Sequence, residues 1–324
     1  MTKRRGGFLA AFLAAAVLAA GFVVLYGWYG PGPLEQDKTF IVMTGDSLNG
    51  VAAELEKEGA VLSARGFSIK ARVFGGGSPI KAGEFLLPVG ASPSRILSII
   101  QSDDVIRRLV TIPEGMPSIM VHERLMAQPY LTGEIPIPAE GSVLPDSYDF
   151  ERGASRESVL RRMQAAMRKT LVAAWAKRAP GIAVSTQQEV LVLAAIVEKE
   201  TGKPSERRKV AGLYSNRLRR GMLLQADPTI IYPITQGKPL GRRIRQSEIQ
   251  ALNDYNTYTM VGLPKGPITN PGRESIEAVL NPARTDALYM VADGTGGHSF
   301  AATLKEHNAN VEKWFAIRRA RGEL

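Results

Sequence analysis

Thr186 to Gly202 read TQQEVLVLAAIVEKETG. From Val190 to Val197 every residue is apolar, so a helix here has no polar face. A helix apolar all round is buried in a core. Ser185 and Gln188 stand at the spacing of a capping box and mark where it opens. The helix runs out into Glu198-Lys199-Glu200-Thr201-Gly202. On a 3.6-residue period Glu200 continues the line of Leu193, Ile196 and Val197, and Glu198 that of Leu191, Ala194 and Ala195. Periodicity leaves the two carboxylates equivalent. A carboxyl at the end of an apolar helix is partly desolvated. That raises its pKa toward the range a general acid needs near neutral pH. The plainer reading is a pair of surface glutamates at a helix end.

Around this helix the chain alternates between elements. Arg156 to Ala179 reads as a strongly basic amphipathic helix stopped by Pro180, and Leu144 to Tyr148 as a loop. Phe40-Ile41-Val42, Lys81 to Phe85 and Val110-Thr111-Ile112 read as strands. Gly45-Asp46-Ser47 is a turn with a helix cap, after which Leu48, Val51, Ala52 and Leu55 fall at helical spacing. Ser92 to Ile100 is a further helix. The fold class expected is α+β. The run V-x-x-G-D-S-L-x-x-V-A-x-x-L resembles the opening of a LysM module, a small fold that binds N-acetylglucosamine polymers. A capped amphipathic helix of any α/β domain carries the same pattern. The first two strand–helix units are weakly alike, and no other repeat is visible.

Phe8 to Tyr29 read FLAAFLAAAVLAAGFVVLYGWY, and no charge occurs between Arg5 and Glu35. About 22 residues at roughly 1.5 Å each span about 33 Å, enough for a hydrocarbon core. Lys3, Arg4 and Arg5 precede the segment, so the positive-inside rule places the short N-terminus in the cytoplasm and the bulk of the chain outside. A cleavable signal peptide would have a shorter apolar run ending in a small-x-small site. Here the run ends in Tyr-Gly-Trp-Tyr, with Trp28 and Tyr29 suited to the outer interface. An uncleaved anchor is expected.

The composition fits a globular protein of about two domains. Of 324 residues, 44% are hydrophobic and 22% charged, which excludes collagen-like, low-complexity and largely disordered chains. There is no cysteine, so disulfides, thiolate zinc sites and cysteine nucleophiles are excluded. The formal charge is +10, from 41 basic and 31 acidic residues. Such a surplus suits nucleic acid, an anionic membrane or an anionic polymer. No groove-reading or RNP-like pattern appears, and a chain working outside the cytoplasm does not meet chromosomal DNA.

Downstream of the core helix lie loops of amides, hydroxyls and tyrosines punctuated by Gly and Pro. They are Met222 to Tyr232 (MLLQADPTIIY), Tyr255-Asn256-Thr257-Tyr258, Gly262 to Ile268, Asn270-Pro271-Gly272, Gly296 to Phe300 and Glu306-His307-Asn308. Sugar sites use these groups: amides and hydroxyls for ring hydroxyls, aromatic faces for pyranose rings. Gln225, Asp227, Tyr232, Asn256, Thr257 and Tyr258 are the candidates for holding sugars, although Asp227 precedes a proline and equally suits a turn cap. His122, His298 and His307 lack metal-ligand spacing, so neither a metal nor a cofactor is expected. The glycines from Gly294 to Gly297 lack the Lys-Ser/Thr of a phosphate loop and read as a turn.

Taken together, VEKET, LQADPTIIY, YNTYxxxGLPxGPIxNPG and GGHSFxxTxxEHN resemble the YceG family of membrane-anchored endolytic murein transglycosylases, over about Phe40 to Trp314. The resemblance implies non-hydrolytic cleavage of peptidoglycan glycan strands between N-acetylmuramic acid and N-acetylglucosamine, leaving 1,6-anhydro-muramyl ends and terminating nascent strands. It places the catalytic glutamate on the second acidic residue of E-K-E-T, here Glu200, followed by Thr201 where other lytic transglycosylases have serine. Glu198 is then a solvated or structural neighbour. It also implies one membrane helix in the inner membrane, a LysM-like subdomain, a periplasmic bulk and work beside peptidoglycan synthases. The expected layout is a cytoplasmic tail over 1–7, a transmembrane helix over 8–29, a linker over 30–39, a LysM-like subdomain over 40–109 and a larger mixed α+β catalytic domain over 110–324. A non-catalytic membrane-anchored peptidoglycan-binding protein is the alternative. A hydrolase acting on the same bond would differ only in leaving reducing ends.

Overall fold

A computed structural model of the protein describes residues 2–323. They divide into two compact units between Arg108 and Leu109.

The first unit begins with α1 (Thr2–Tyr29), followed by β1 (Lys38–Val42), α2 (Leu48–Lys57), α3 (Ala64–Phe74), β2 (Gly83–Leu87) and α4 (Pro93–Gln101). Ala11–Tyr29 is the one stretch among the described residues long and apolar enough to cross a membrane. Strands β1 and β2 pair antiparallel with Phe40 opposite Phe85. Each strand leads into a helix, β1 into α2 and β2 into α4, and the two strands share one sheet. Phe40, Phe85, Leu55, Ile96 and Ile100 form the centre of its core. The expected cap at Ser47 is present: its hydroxyl accepts from Gly50 N at 3.2 Å. Helix α3 was not anticipated, because its apolar residues do not lie on one face. Phe67 and Ala71 point inward, while Ile69 and Val73 point to solvent. Trp28 is 1% exposed and packs its ring against Phe67 and Phe74, so its side chain belongs to this core.

The second unit follows β3 (Arg107–Thr111), which straddles the boundary, and holds α5 (Ser118–Met126), β4 (Ser147–Glu151), α6 (Arg156–Ala176) and α7 (Gln187–Glu200). A 3₁₀ turn, Pro204–Glu206, leads into α8 (Arg207–Arg219), α9 (Asp227–Thr235), α10 (Gln246–Ile249) and α11 (Arg273–Leu280). The hairpin β5 (Tyr289–Ala292) and β6 (His298–Ala301) precedes α12 (Leu304–Ala320). Strand β4 pairs with β3, so Ser147 and Tyr148 open a strand where a loop was expected. Strands β5 and β6 pair antiparallel, and the glycines of 294–297 form their turn.

Helix α7 is the axis of this unit. Val190 to Val197 are all buried, covered by α8 and α11 residues including Val210, Leu213, Tyr214, Ile276, Val279 and Leu280. Each large aliphatic side chain so covered stabilises the fold by about 1.5–3 kcal/mol relative to exposure. The capping box sits one residue later than the spacing suggested: Thr186 and Glu189 make it. Ser185 joins it through its backbone N–H, which donates to Glu189 Oε2 at 2.5 Å. A rigid, fully wrapped helix therefore delivers its last residues, Glu198 and Glu200, to a fixed place.

Candidate active site

The two glutamates at the end of α7 have opposite surroundings. Glu198 is 5% exposed at its side chain. Its Oε2 accepts from Gly272 N at 2.9 Å, and its Oε1 lies 3.6 Å from Arg207 Nη2. Arg207 also pairs with Glu114 at 3.0 Å and with Glu274. Glu198 thus sits inside an ionic cluster joining α7, α8, α11 and the loop after β3. It is a structural neighbour, but a buried one, not a solvated one. Among the described residues no cation forms an ion pair with Glu200. Its Oε1 is buried and makes no hydrogen bond. Burial pushes its pKa up to about 7, with the Asp227 charge adding to the rise and the Tyr214 hydroxyl and the Arg217 charge opposing it. The carboxyl is therefore poised to hold or release a proton near neutrality.

Helix α8 supplies both of the groups that restrain it. Tyr214 and Arg217 stand three apart, on the face where Val210, Ala211 and Leu213 enter the core. Tyr214 is buried, and burial followed by the nearby Glu200 raises its phenol well above the usual range, so it acts as a neutral donor toward the carboxylate. Arg217 is buried with its guanidinium committed to carbonyls: Nε donates to Leu288 O at 2.6 Å and Nη1 to Leu224 O at 2.7 Å. It also lies 5.5 Å from the centre of the Tyr289 ring. Neither residue was singled out from the sequence. The available signal was a tyrosine and an arginine at i and i+3 on an otherwise apolar helix face.

The loops expected to hold sugar are sewn to each other. Gln225 N donates to Thr257 O at 3.0 Å, Ala226 N donates to Thr257 Oγ1 at 3.0 Å, and the Thr229 and Thr257 hydroxyls share a hydrogen bond of 2.9 Å. Tyr258 donates its hydroxyl to Asp227 Oδ1 at 2.5 Å. Gln225 adopts φ +50°, a left-handed conformation uncommon outside glycine, and the bonds to Thr257 hold it there. Asp227, at the first turn of α9, and Tyr258 both act on Glu200 electrostatically. Glu200, Asp227 and Tyr258 are therefore brought together, and Gln225 Oε1 lies 3.5 Å from Arg217 Nη1.

Asn256 and Thr257 do not present their side chains to a ligand. Both are 0% exposed. The Asn256 amide donates to Ala251 O at 2.7 Å and Ile249 O at 2.9 Å, and its Oδ1 accepts from Tyr258 N at 3.0 Å. The sugar-holding role expected of these two is replaced by one of shaping the loop that carries Tyr258. Tyr232 belongs to a separate cluster: its ring centre lies 4.8 Å from that of Tyr255, and its hydroxyl interacts with Glu140.

Two of the histidines pack against neighbouring elements. His298 N donates to Glu206 Oε1 at 3.1 Å and its Nδ1 lies 2.9 Å from Glu206 Oε2. This fastens the β5–β6 hairpin to the 3₁₀ turn just after Glu200. His307 stacks on Tyr289 with ring centres 5.2 Å apart. Among the described residues no group of His, Asp and Glu is arranged to hold a metal ion.

The chain has known relatives. An endolytic murein transglycosylase of Bacillus subtilis (strain 168) is 27% identical, with 92% of each chain aligned. One of Streptococcus pneumoniae serotype 2 (strain D39) is 28% identical over 82% of this chain. The match covers 56% of that relative's length, so this chain spans little more than half of it. A crystal structure of a yceG-like protein of Listeria monocytogenes superposes with a TM-score of 0.52 at 25% identity, covering 85% of this chain and 98% of the other. Residues 40–313, a stretch that takes in most of β1, the α7 carboxylates and both sewn loops, match the YceG-like family, and the chain belongs to it.

Proposed function

We propose that the protein is a membrane-anchored endolytic lytic transglycosylase of peptidoglycan and that Glu200 is its catalytic acid and base. The observation that carries this reading is the buried Glu200 carboxyl at the end of α7, poised near neutrality and electrostatically coupled to Asp227 and Tyr258. Ordinary glycosidases set a second carboxyl across the scissile bond as nucleophile or base. A lytic enzyme works with one. Protonated Glu200 donates to the oxygen between N-acetylmuramic acid and N-acetylglucosamine, and the bond to C1 breaks. The resulting carboxylate takes the proton from the muramyl C6 hydroxyl, whose oxygen bonds to C1. The proton returns to Glu200, and no water is consumed. An internal hydroxyl has a large effective molarity and outcompetes water in a closed site. Tyr214 and the Arg217 charge favour the carboxylate stage. Tyr232, Gln225, Asp227 and Tyr258 are the side chains proposed to meet sugar.

The supporting context is consistent with this. α1 supplies the anchor, with the bulk of the chain on the outer side of an inner membrane, and the order β1–α2–α3–β2 with its Gly-Asp-Ser turn supports a LysM-like reading of the first unit. We assign glycan handling to that unit and catalysis to the second, acting on nascent strands beside peptidoglycan synthases. Purified full-length protein incubated with sacculi is expected to release 1,6-anhydro-muropeptides visible by mass spectrometry. Reducing ends alone would make it a hydrolase, and an inert protein that still binds sacculi would make it an anchor.

A further inference from the structure

Helix α3 presents an unusual outer face. On the side opposite Phe67 and Ala71, its exposed residues are Ile69 at 52% and Val73 at 67%, extended by Leu62 at 86% just before the helix. Gly66 lies between them on the same line, and Arg65 and Arg72 flank it. A soluble helix turns polar residues to water. An apolar stripe edged by basic residues is the pattern of a helix lying in a membrane interface.

The position of α3 supplies the occupant. Lys70 donates its ammonium to Gly27 O at 2.9 Å, in the last turn of α1, where carbonyls lack helical partners and a cation is favoured. Trp28 of the same turn is clamped by Phe67 and Phe74, with ring centres 5.9 and 6.2 Å away. The Pro31-Gly32-Pro33 segment is bound back as well, Gly32 N donating to Gly90 O at 3.1 Å. The first unit is therefore not tethered loosely to α1 but fused to its outer end. Ala11–Tyr29 rises about 28 Å at roughly 1.5 Å per residue, close to the hydrocarbon thickness. Gly27 and Trp28 then stand at the outer boundary of the lipid, and α3 is held at their level.

We infer that the outer face of α3, Leu62, Ile69 and Val73 with Arg65 and Arg72, docks into the head-group layer of an anionic bilayer. This rests on α1 being a membrane span, and the test separates the two. The chain has no cysteine, so single cysteines carry nitroxide labels without further changes. The full-length variants Leu18→Cys, Ile69→Cys, Val73→Cys and Arg161→Cys are placed in vesicles of phosphatidylethanolamine and phosphatidylglycerol. Relaxation by oxygen, which partitions into lipid, is compared with relaxation by a water-soluble nickel chelate. The oxygen-to-nickel ratio at 69 and 73 is expected to exceed that at 161 several-fold and to fall when phosphatidylcholine replaces both lipids. A lipid-like ratio at 18 with water-like ratios at 69 and 73 overturns the docking and leaves the anchor. A water-like ratio at 18 overturns both. Ratios at 69 and 73 that do not change with lipid charge overturn the anionic preference.

Discussion

Glu198 and Glu200 leave the same helix two residues apart. One lies 3.6 Å from the Arg207 guanidinium, while the other buries an oxygen with no hydrogen-bond partner. Two carboxylates of one type on one turn thus receive different tasks from their surroundings. Replacing Glu200 by Gln is expected to abolish release of anhydro-muropeptides from sacculi. Replacing Glu198 by Gln keeps the hydrogen-bonding shape and is expected to leave measurable activity with a lowered melting temperature. Equal loss in both variants would remove the distinction.

The pH dependence has a definite direction. Glu200 is raised from the usual 4.5 to about 7 in the folded protein, so the protonated acid is lost, and kcat/KM with it, as pH rises through about 7. The same shift costs stability: the unfolded carboxyl ionises first, so stability falls between about 4.5 and 7 and the penalty is complete above that. At about 1.4 kcal/mol per unit it amounts to something on the order of 3 kcal/mol. Glu200→Gln is accordingly expected to be more stable than the parent at pH 8 and equal to it at pH 4, by urea unfolding at the two pH values.

Neighbours of Glu200 are expected to move that limb in opposite directions. The Tyr214 hydroxyl favours the carboxylate, so Tyr214→Phe moves the alkaline limb up. The Asp227 charge opposes it, so Asp227→Asn, which still accepts from Tyr258, moves the limb down. A purely structural role for either residue would lower the melting temperature and leave the limb in place.

Much of the fold was legible because burial writes itself as apolar continuity. Val190 to Val197 announced α7, and the Ser47 turn announced α2. What escaped the sequence was set by tertiary partners. Tyr214 and Arg217 matter because α8 packs beside the end of α7, a relation no local pattern encodes. Helix α3 was hidden by Ile69 and Val73 facing outward. Asn256 and Thr257 look like sugar ligands by residue type, yet their polar atoms are consumed by the chain itself, which composition does not reveal.

Arg207 is the test of the ionic cluster. Truncation to Ala leaves Glu198 buried beside Glu114, whose pKa burial and the Glu198 charge already raise. Removing one partner of a buried pair costs about 3–5 kcal/mol. Arg207→Ala is expected to unfold at markedly lower urea concentration, and the additional change Glu198→Gln to recover part of the loss, since it removes the stranded charge.

Asn256 is expected to affect substrate binding without touching sugar. Its side chain satisfies the carbonyls of Ile249 and Ala251 and fixes Tyr258 N. In Asn256→Ala these buried groups lose partners, at about 1–3 kcal/mol each in the unrelieved case. The strand of loop that aims Tyr258 at Asp227 then loosens. The prediction is a lowered melting temperature together with a raised KM for glycan strands, measured on sacculi digests. Because the side chain is closed off from solvent, Asn256→Asp should fare no better, as an ionised carboxylate there cannot donate to either carbonyl. Full activity in Asn256→Asp would show that the amide is not the strut described.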